Sequence, residues 1–430
     1  MVCYKVCLPN IIPDTLLIVA ADDGDLRSLM NDLFLIRIFG DGGAPVTQKV
    51  SSILADMDAD ILDIGHSVIH DNLSLGILVY LPSSNRSIPG ELEDRLGSIA
   101  EKILISSVSL DSYEVWVQNQ GAPRYVLTLL ARKLKASHLS VVSDLIARSD
   151  LKVDAIKRLS GRISRKSESN STKACVEFSI RGEPQKSFRE SLLAVGNEFQ
   201  IDIALQEDGI YRRHRRLIAF DMDSTLIATE VIDELADRFN VGEQVKTITA
   251  QAMAGELDFA DSLRRRVGLL KGMSSVDLQH VAAKIPLAEG AESLFKTLNH
   301  LGYKTAIISG GFSFFGNQLK EKLGIDYVFS NQLEIQEGRL TGKLIGKIIG
   351  AEQKAEILED IAQREKISLK QTIAVGDGAN DLPMLSVAGL GIAFKAKPLV
   401  RRVAKHSISN LGLDSLLYLM GIRDFEIKKV

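Results

Sequence analysis

Leu217-Ile218-Ala219-Phe220-Asp221-Met222-Asp223-Ser224-Thr225-Leu226-Ile227-Ala228-Thr229-Glu230 begins as an apolar run behind Arg215 and Arg216 and then turns acidic. Its first four residues have the pattern of a parallel strand buried on both faces. Two carboxylates, Asp221 and Asp223, leave the carboxyl end of that strand, where open α/β sheets place their ligands. With Met222 between them, both can face one site. Acids so close repel unless a cation lies between them, and a hard, oxygen-seeking ion such as Mg2+ answers that need. The same residues have a plainer reading, in which Asp223-Ser224-Thr225 caps the following helix. The segments downstream decide between the two.

Residues 231–239 carry helical periodicity, and a helix-rich stretch continues to about residue 300 without a strong strand signal. An inserted helical block behind the first strand is how α/β enzymes build a lid over a site. Alternation then resumes, with strand patterns at 305–308, 326–330, 333–345, 372–375 and 391–394 and helices at 315–323 and 351–363. Three strands end in polar groups: Asp221 with Asp223, Ser309-Gly310-Gly311, and Asp377 with Asn380 and Asp381 in Gly376-Asp377-Gly378-Ala379-Asn380-Asp381. Lys354 stands near a helix start between the last two. That order supplies what phosphoryl transfer needs. A carboxylate attacks phosphorus, hydroxyl and backbone N–H groups hold the equatorial oxygens, and a lysine with a metal neutralises developing charge. Each piece alone also reads as a turn, a surface charge or a loop; four such coincidences in this order strain that reading.

The half before Leu217 reads as two small units. Residues 1–33 mix apolar patches with Asp22-Asp23-Gly24-Asp25 and form a lead segment. Strands at 35–39, 61–69, 75–81 and 113–117 then alternate with helices at 46–57 and 89–105. A second round has strands at 125–130, 151–159, 176–180 and 201–205 and helices at 138–148 and 186–198. Each round is a βαββαβ unit, a small antiparallel sheet with helices on one face, and the two span 34–120 and 121–208. The polar run 160–173 is a loop, and 209–216 is a linker. Its cluster of Arg212, Arg213, His214, Arg215 and Arg216 has the charge to touch nucleic acid. No aromatic stacking set accompanies it, so solvation or pairing with acids of a neighbouring unit is the expectation.

The element order, with Gly40-Asp41-Gly42-Gly43 at the first strand–helix turn, resembles the ACT domain, a small module that binds an amino acid and dimerises in many enzymes of amino-acid metabolism. The resemblance implies serine or another amino acid as a ligand of this half, and a homodimer. In the second unit Ala131-Arg132-Lys133-Leu134-Lys135 occupies the corresponding turn without a glycine, which argues against backbone access for a ligand there. Gly40-x-Gly42 lacks the third glycine of a dinucleotide fingerprint.

From Arg216 onward the chain resembles the haloacid dehalogenase superfamily of aspartyl-phosphate enzymes, and within it the phosphoserine phosphatases. Asp221-Met222-Asp223-Ser224-Thr225 matches the first motif of that family, Ser309-Gly310-Gly311-Phe312 the second, Lys354 the third and the Gly376–Asp381 run the fourth. The resemblance implies a phosphatase domain over 217–430 with a helical cap at about 230–300. It implies Asp221 as the nucleophile of a phospho-aspartyl intermediate and Asp223 as general acid and base. It places Mg2+ on Asp221, the backbone carbonyl of Asp223, and Asp377, with Asp381 in support. Ser309, Gly310 and Lys354 would cradle the phosphate, with Asn380 beside it. Glu230 would take the ammonium of O-phosphoserine and Arg266 its carboxylate, with Met253 and Phe259 as an apolar wall. Without the resemblance, Arg264-Arg265-Arg266 reads equally well as a solvated cluster.

The expected fold is α/β: a Rossmann-like parallel sheet core with a helical cap insertion, preceded by two α+β ferredoxin-like (ACT-like) units. The expected activity is hydrolysis of O-phosphoserine, the final step of serine biosynthesis. The alternatives are a phosphatase for another small phosphomonoester and an amino-acid sensor with a vestigial phosphatase half. A net charge of -3 over 430 residues points to neither nucleic acid nor membrane as a partner. Cys3, Cys7 and Cys175 make neither a disulfide framework nor a zinc site, which fits a reduced, cytoplasmic setting. Pro9, Pro13 and Asp14 break the early apolar patches, so no leader or membrane span is expected. Gly342-Lys343-Leu344-Ile345-Gly346-Lys347 has the wrong spacing for a phosphate-binding loop and no Ser or Thr after its lysine.

Overall fold

The computed structural model describes residues 32–41, 45–82, 88–97, 99–162, 166 and 173–427. All but the end of the expected lead segment 1–33 lies outside them, as do Gly42, Gly43 and most of the 160–173 loop. The chain divides between Ala122 and Pro123 into two units.

The first unit runs β1 (Leu33–Asp41), α1 (Val46–Asp56), β2 (Asp60–Ile69), β3 (Asn72–Tyr80), α2 (Ile88–Leu96), β4 (Lys102–Ser107) and α3 (Leu110–Asn119). Its antiparallel sheet has the order β2-β3-β1-β4. Phe34, Ile36 and Ile38 alternate along β1 and meet Val46, Val50 and Leu54, which recur every four residues on α1. Two expectations are corrected here. The helix placed at 89–105 stops at Leu96, and 102–107 is instead β4, with Ile103 and Ile105 opposite Ile38 and Ile36 of β1. The strand placed at 113–117 is helix α3. Ser109 accepts a hydrogen bond from Ser112 N at 3.3 Å as its cap, and Asp111 lies in its first turn. β4 takes the place beside β1 that the Tyr113-Val115-Val117 alternation was expected to fill.

The second unit opens with β5 (Arg124–Ala131), α4 (Ala136–Arg148), β6 (Lys152–Arg158), β7 (Ala174–Arg181), α5 (Lys186–Phe199) and β8 (Asp202–Glu207), again with the order β6-β7-β5-β8. One face of this sheet packs Leu127, Leu129 and Phe178 on its own helices. The opposite face puts Leu130, Cys175 and Ala204 into the same core as Leu416, Leu417 and Leu419 near the carboxyl terminus. The small sheet and the large domain are therefore welded through shared apolar burial. Arg212 of the linker is buried and paired with Glu177 on β7, so part of the basic cluster serves this joint.

The large domain begins with β9 (Leu217–Phe220), followed by α6 (Val231–Arg238), α7 (Gly242–Met253), α8 (Phe259–Leu269), α9 (Ser275–Lys284) and α10 (Ala291–His300). It continues through β10 (Lys304–Phe312), α11 (Ser313–Leu323), β11 (Tyr327–Gln336), β12 (Arg339–Ile345), α12 (Ala351–Arg364), β13 (Thr372–Gly376), β14 (Leu390–Phe394) and β15 (His406–Ile408). The sheet order is β12-β11-β10-β9-β13-β14-β15, parallel except at β12. β9 lies near its middle and is buried throughout. Ile218 and Phe220 enter one core layer, Leu217 and Ala219 the other, as the two-residue period requires. Each large side chain so buried is worth about 1.5–3 kcal/mol.

The helical insert leaves the core after β9 and returns before α10. Its two connections pair, with Ile227 bridging Leu287 in antiparallel fashion, Ala228 N donating to Pro286 O at 3.0 Å and Ala288 N to Leu226 O at 2.8 Å. This pairing draws the expected end of the cap back from about 300 to Pro286. α10 belongs to the core, where Phe295 and Phe220 have ring centroids 5.0 Å apart. Among the described residues no helix is long and apolar enough to cross a membrane.

β15 is too short to announce itself in sequence. Its His406 is buried at the sheet edge, and burial, reinforced by the cations of Arg189, Lys405 and Arg215, pulls the imidazole from 6.5 down to about 3. A neutral imidazole in the fold and an ordinary one in the unfolded chain mean full stability above pH 6.5 and progressive loss as pH falls toward 3. Between pH 7 and pH 5 this group should cost about 2 kcal/mol. Urea unfolding of the wild type and His406→Leu at both pH values reads the difference. Identical pH slopes would remove His406 as the cause.

Candidate active site

The chain passes from β9 to β10 on one side and later to β13 on the other, so the carboxyl ends of these strands border the switch point of the sheet. Asp221 N still donates to Val375 O at 2.9 Å, which holds the residue in the ladder. Its Oδ1 accepts from Met222 N at 2.7 Å. Lys354, in the first turn of α12, is fully buried and reaches Asp221 Oδ2 at 2.9 Å and Asp381 Oδ1 at 2.6 Å. Burial opposes its charge, but the Asp221 and Asp381 carboxylates outweigh it and raise the lysine above its ordinary value.

Carboxylate oxygens of Asp221, Asp377 and Asp381 lie within 4.8 Å of one another. Burial first, then the charge of Asp221, lifts Asp377 to about 7 and Asp381 to about 6. Three enclosed, mutually repelling oxygen donors are the set that a hard divalent cation satisfies. The expected supporting acid, Asp381, thus stands in the trio beside Asp221 and Asp377, while the Asp223 carboxylate does not. Asp223 instead accepts from Val231 N at 3.1 Å. Burial, then the charges of Glu230 and Asp221, pushes its carboxyl well above the ordinary range. A Cβ at Gly311 would collide with the Asp223 carboxylate, so this close approach requires glycine in the second motif.

The haloacid dehalogenase-like hydrolase family model matches residues 218–386, and an ACT domain model matches 32–106. A phosphoserine phosphatase of Streptomyces coelicolor is 36% identical over 394 residues, covering 92% of this chain and 93% of its own. The chain belongs to the phosphoserine phosphatase family. A relative of that name from Archaeoglobus fulgidus is 47% identical over 234 residues, 54% of this chain and 68% of its own. Among solved structures, a probable phosphoserine phosphatase from Vibrio cholerae matches with a TM-score of 0.57 at 33% identity, over 73% of this chain and 90% of its own. Haloacid dehalogenase-like phosphatases are metal-dependent, and the acidic trio is present here.

The remaining expected residues lie on β10, in the cap and after β13. Ser309 is buried, its Oγ accepting from Gly311 N at 2.9 Å. A Cβ on Gly310 would lie 3.0 Å from Phe259 Cζ, which places the first residue of α8 over the Ser309–Gly310 loop. Of the three arginines on α8, Arg264 and Arg265 are exposed and Arg266 turns inward. Burial lowers the Arg266 guanidinium, opposed by Asp233, Glu230 and Asp223. Glu230 accepts from Ser224 Oγ at 2.7 Å, and Ser224 is held at φ 56°, a left-handed conformation costly for serine. Met253 ends α7, but its side chain lies outside the described residues. Asn380 sits in the short turn Ala379–Asp381, which Gly378 separates from Asp377.

Three contributors escaped the sequence reading. Asn331 on β11 is buried; its Nδ2 donates to Gly310 O at 2.8 Å and its Oδ1 accepts from Ile349 N at 2.9 Å, tying the second motif to the approach of Lys354. Thr225 Oγ1 donates to Asp377 Oδ1 at 3.2 Å and orients that acid. Asp233 faces Arg266 one helical turn after Glu230, a spacing that was there to be noticed. For Asn331, the signal was one amide inside a strand pattern.

Proposed function

We propose that the chain hydrolyses O-phosphoserine to serine and inorganic phosphate, with Mg2+ as its cation. The observation that carries this reading is the convergence of Asp221, Lys354, Asp377 and Asp381 at the ends of β9 and β13. An Asp221 oxygen attacks phosphorus and the bond to the serine oxygen breaks. Asp223, whose burial and acidic neighbours favour its protonated form, gives a proton to the departing oxygen. The Asp223 carboxylate then takes a proton from water as that water attacks the phospho-aspartate, which releases phosphate and restores Asp221. Lys354 and the backbone N–H groups around Ser309 and Gly310 offset charge on the phosphoryl oxygens. A Mg2+ ion held by Asp221, Asp377 and Asp381 would neutralise charge between nucleophile and phosphate.

Specificity falls to Glu230 for the ammonium and Arg266 for the carboxylate, with Phe259 over the Ser309–Gly310 segment and Asn380 near the phosphate. Glu230→Gln and Arg266→Ala are each expected to lower kcat/KM for phosphoserine by about 10- to 100-fold. Turnover of p-nitrophenyl phosphate, which offers neither group, should change by less than about threefold. Equal losses on both substrates would count against phosphoserine and favour another small phosphomonoester.

We further propose a cytoplasmic homodimer whose ACT-like half takes serine or another amino acid. Supporting the dimer, Ile61, Ile64, Val68 and Ile69 stand exposed along β2, an edge strand. Supporting the reduced setting, Cys175 is a buried free thiol.

A further inference from the structure

The turn from β5 to α4 is the position in the second small sheet where the first carries Gly40 and Asp41. In place of a glycine it bears Arg132, and this side chain faces the phosphatase core. Its two terminal nitrogens donate to the two Glu289 oxygens, each at 2.6 Å, and its Nε donates to Asn410 O at 3.0 Å. Glu289 directly follows Leu287 and Ala288, the return connection that pairs with Leu226, Ile227 and Ala228. The Glu289 carbonyl accepts from Leu413 N at 2.7 Å. Asp202, at the start of β8, grips the same carboxyl-terminal loop, accepting from Ser409 N at 2.8 Å and from Asn410 N at 3.0 Å. The base of the cap connection, this loop and the second small sheet thus form one hydrogen-bonded block.

We propose that Arg132 is a positioning residue for the cap. It fixes the core end of the return connection, so that the paired connections flex about a set base and Arg266 and Glu230 arrive at the same place on each closure. The turn that would admit a ligand in the first unit has become a strut in the second. Arg132 acts through Glu289 and touches no reacting atom. The bridge is partly exposed, 44% and 39% for its two side chains, so its removal should shift cap behaviour by about two- to fivefold.

The kinetic arm of the test rests on the proposed substrate; the exchange arm does not. In the full chain, Arg132→Gln and Glu289→Gln should each speed hydrogen exchange at the Ala228 and Ala288 amides by about two- to fivefold and raise KM for phosphoserine by a similar factor, with kcat within about twofold. The double variant should do less than the sum of the two single ones, because the Arg132–Glu289 bridge is lost in all three. Unchanged exchange in both single variants would overturn the proposal. So would additive effects, or a lower thermal midpoint with exchange and KM unmoved. Faster exchange in a protein that turns over no phosphoserine would sustain the strut and reject the substrate.

Discussion

Asp221→Asn is expected to reduce phosphoserine hydrolysis by at least about ten-thousandfold while the protein stays folded. The substitution is nearly isosteric, and one amide oxygen remains to accept from Met222 N, which the aspartate bonds at 2.7 Å. The amide cannot form an acyl phosphate, so the covalent route is closed rather than slowed. The change also removes a charge from a buried trio whose members repel one another. It also takes one of two carboxylate partners from the buried Lys354, so the two effects oppose and thermal stability without metal should stay near that of the wild type. Phosphate release with Mg2+ present and a melting curve are the two measurements required. Residual activity above about one per cent of wild type would mean that another group attacks phosphorus. A wild type that releases no phosphate with Mg2+ supplied would reject the enzymatic reading altogether.

Lys354→Met should damage both folding and chemistry. The ammonium is fully buried and lies 2.9 Å from Asp221 and 2.6 Å from Asp381. Removing it leaves two enclosed carboxylates without their cation, a type of change that costs about 3–5 kcal/mol. Loss of the charge proposed to face the phosphoryl group should lower kcat by a further factor of about 10²–10³. Added Mg2+ is expected to recover part of the stability, because it binds the folded trio and not the unfolded chain. Methionine fills a similar volume, so packing alone predicts a small effect. Denaturant unfolding that matched wild type without Mg2+ would show that the lysine is not the partner on which the trio depends.

The catalytic core was legible because its chemistry sits at the ends of apolar strands in a fixed order. Leu217-Ile218-Ala219-Phe220 could hardly be anything but a buried strand, and the structure brings the expected Asp221, Lys354 and Asp377 together at its end. Short-range ambiguity produced the errors. Tyr113, Val115 and Val117 alternate like a strand, but Ser109 caps them as a helix and β4 holds the place beside β1 that they were expected to take. Ile103 and Ile105 continued a helical pattern until their pairing with β1 claimed them. Contacts across long stretches of chain left no local trace. Arg132 and Glu289 are separated by 157 residues and Asp202 and Ser409 by 207, so the welding of the second small sheet to the phosphatase was invisible to periodicity. Asn331 and Thr225 were hidden for a related reason: each is a single buried polar group whose meaning is its partner.

Acid quenching during turnover, followed by mass mapping of the peptide that contains Asp221, tests the central claim most directly. Asp223→Asn should be run alongside wild type with p-nitrophenyl phosphate as well as phosphoserine, because that leaving group departs without the proton Asp223 is proposed to give, while hydrolysis of the intermediate still lacks its proposed base. The expected result is one phosphoryl group on Asp221 in the presence of phosphoserine and Mg2+, absent from Asp221→Asn. Steady hydrolysis with no phosphoryl group on that peptide, or with the group on a different residue, would contradict the account.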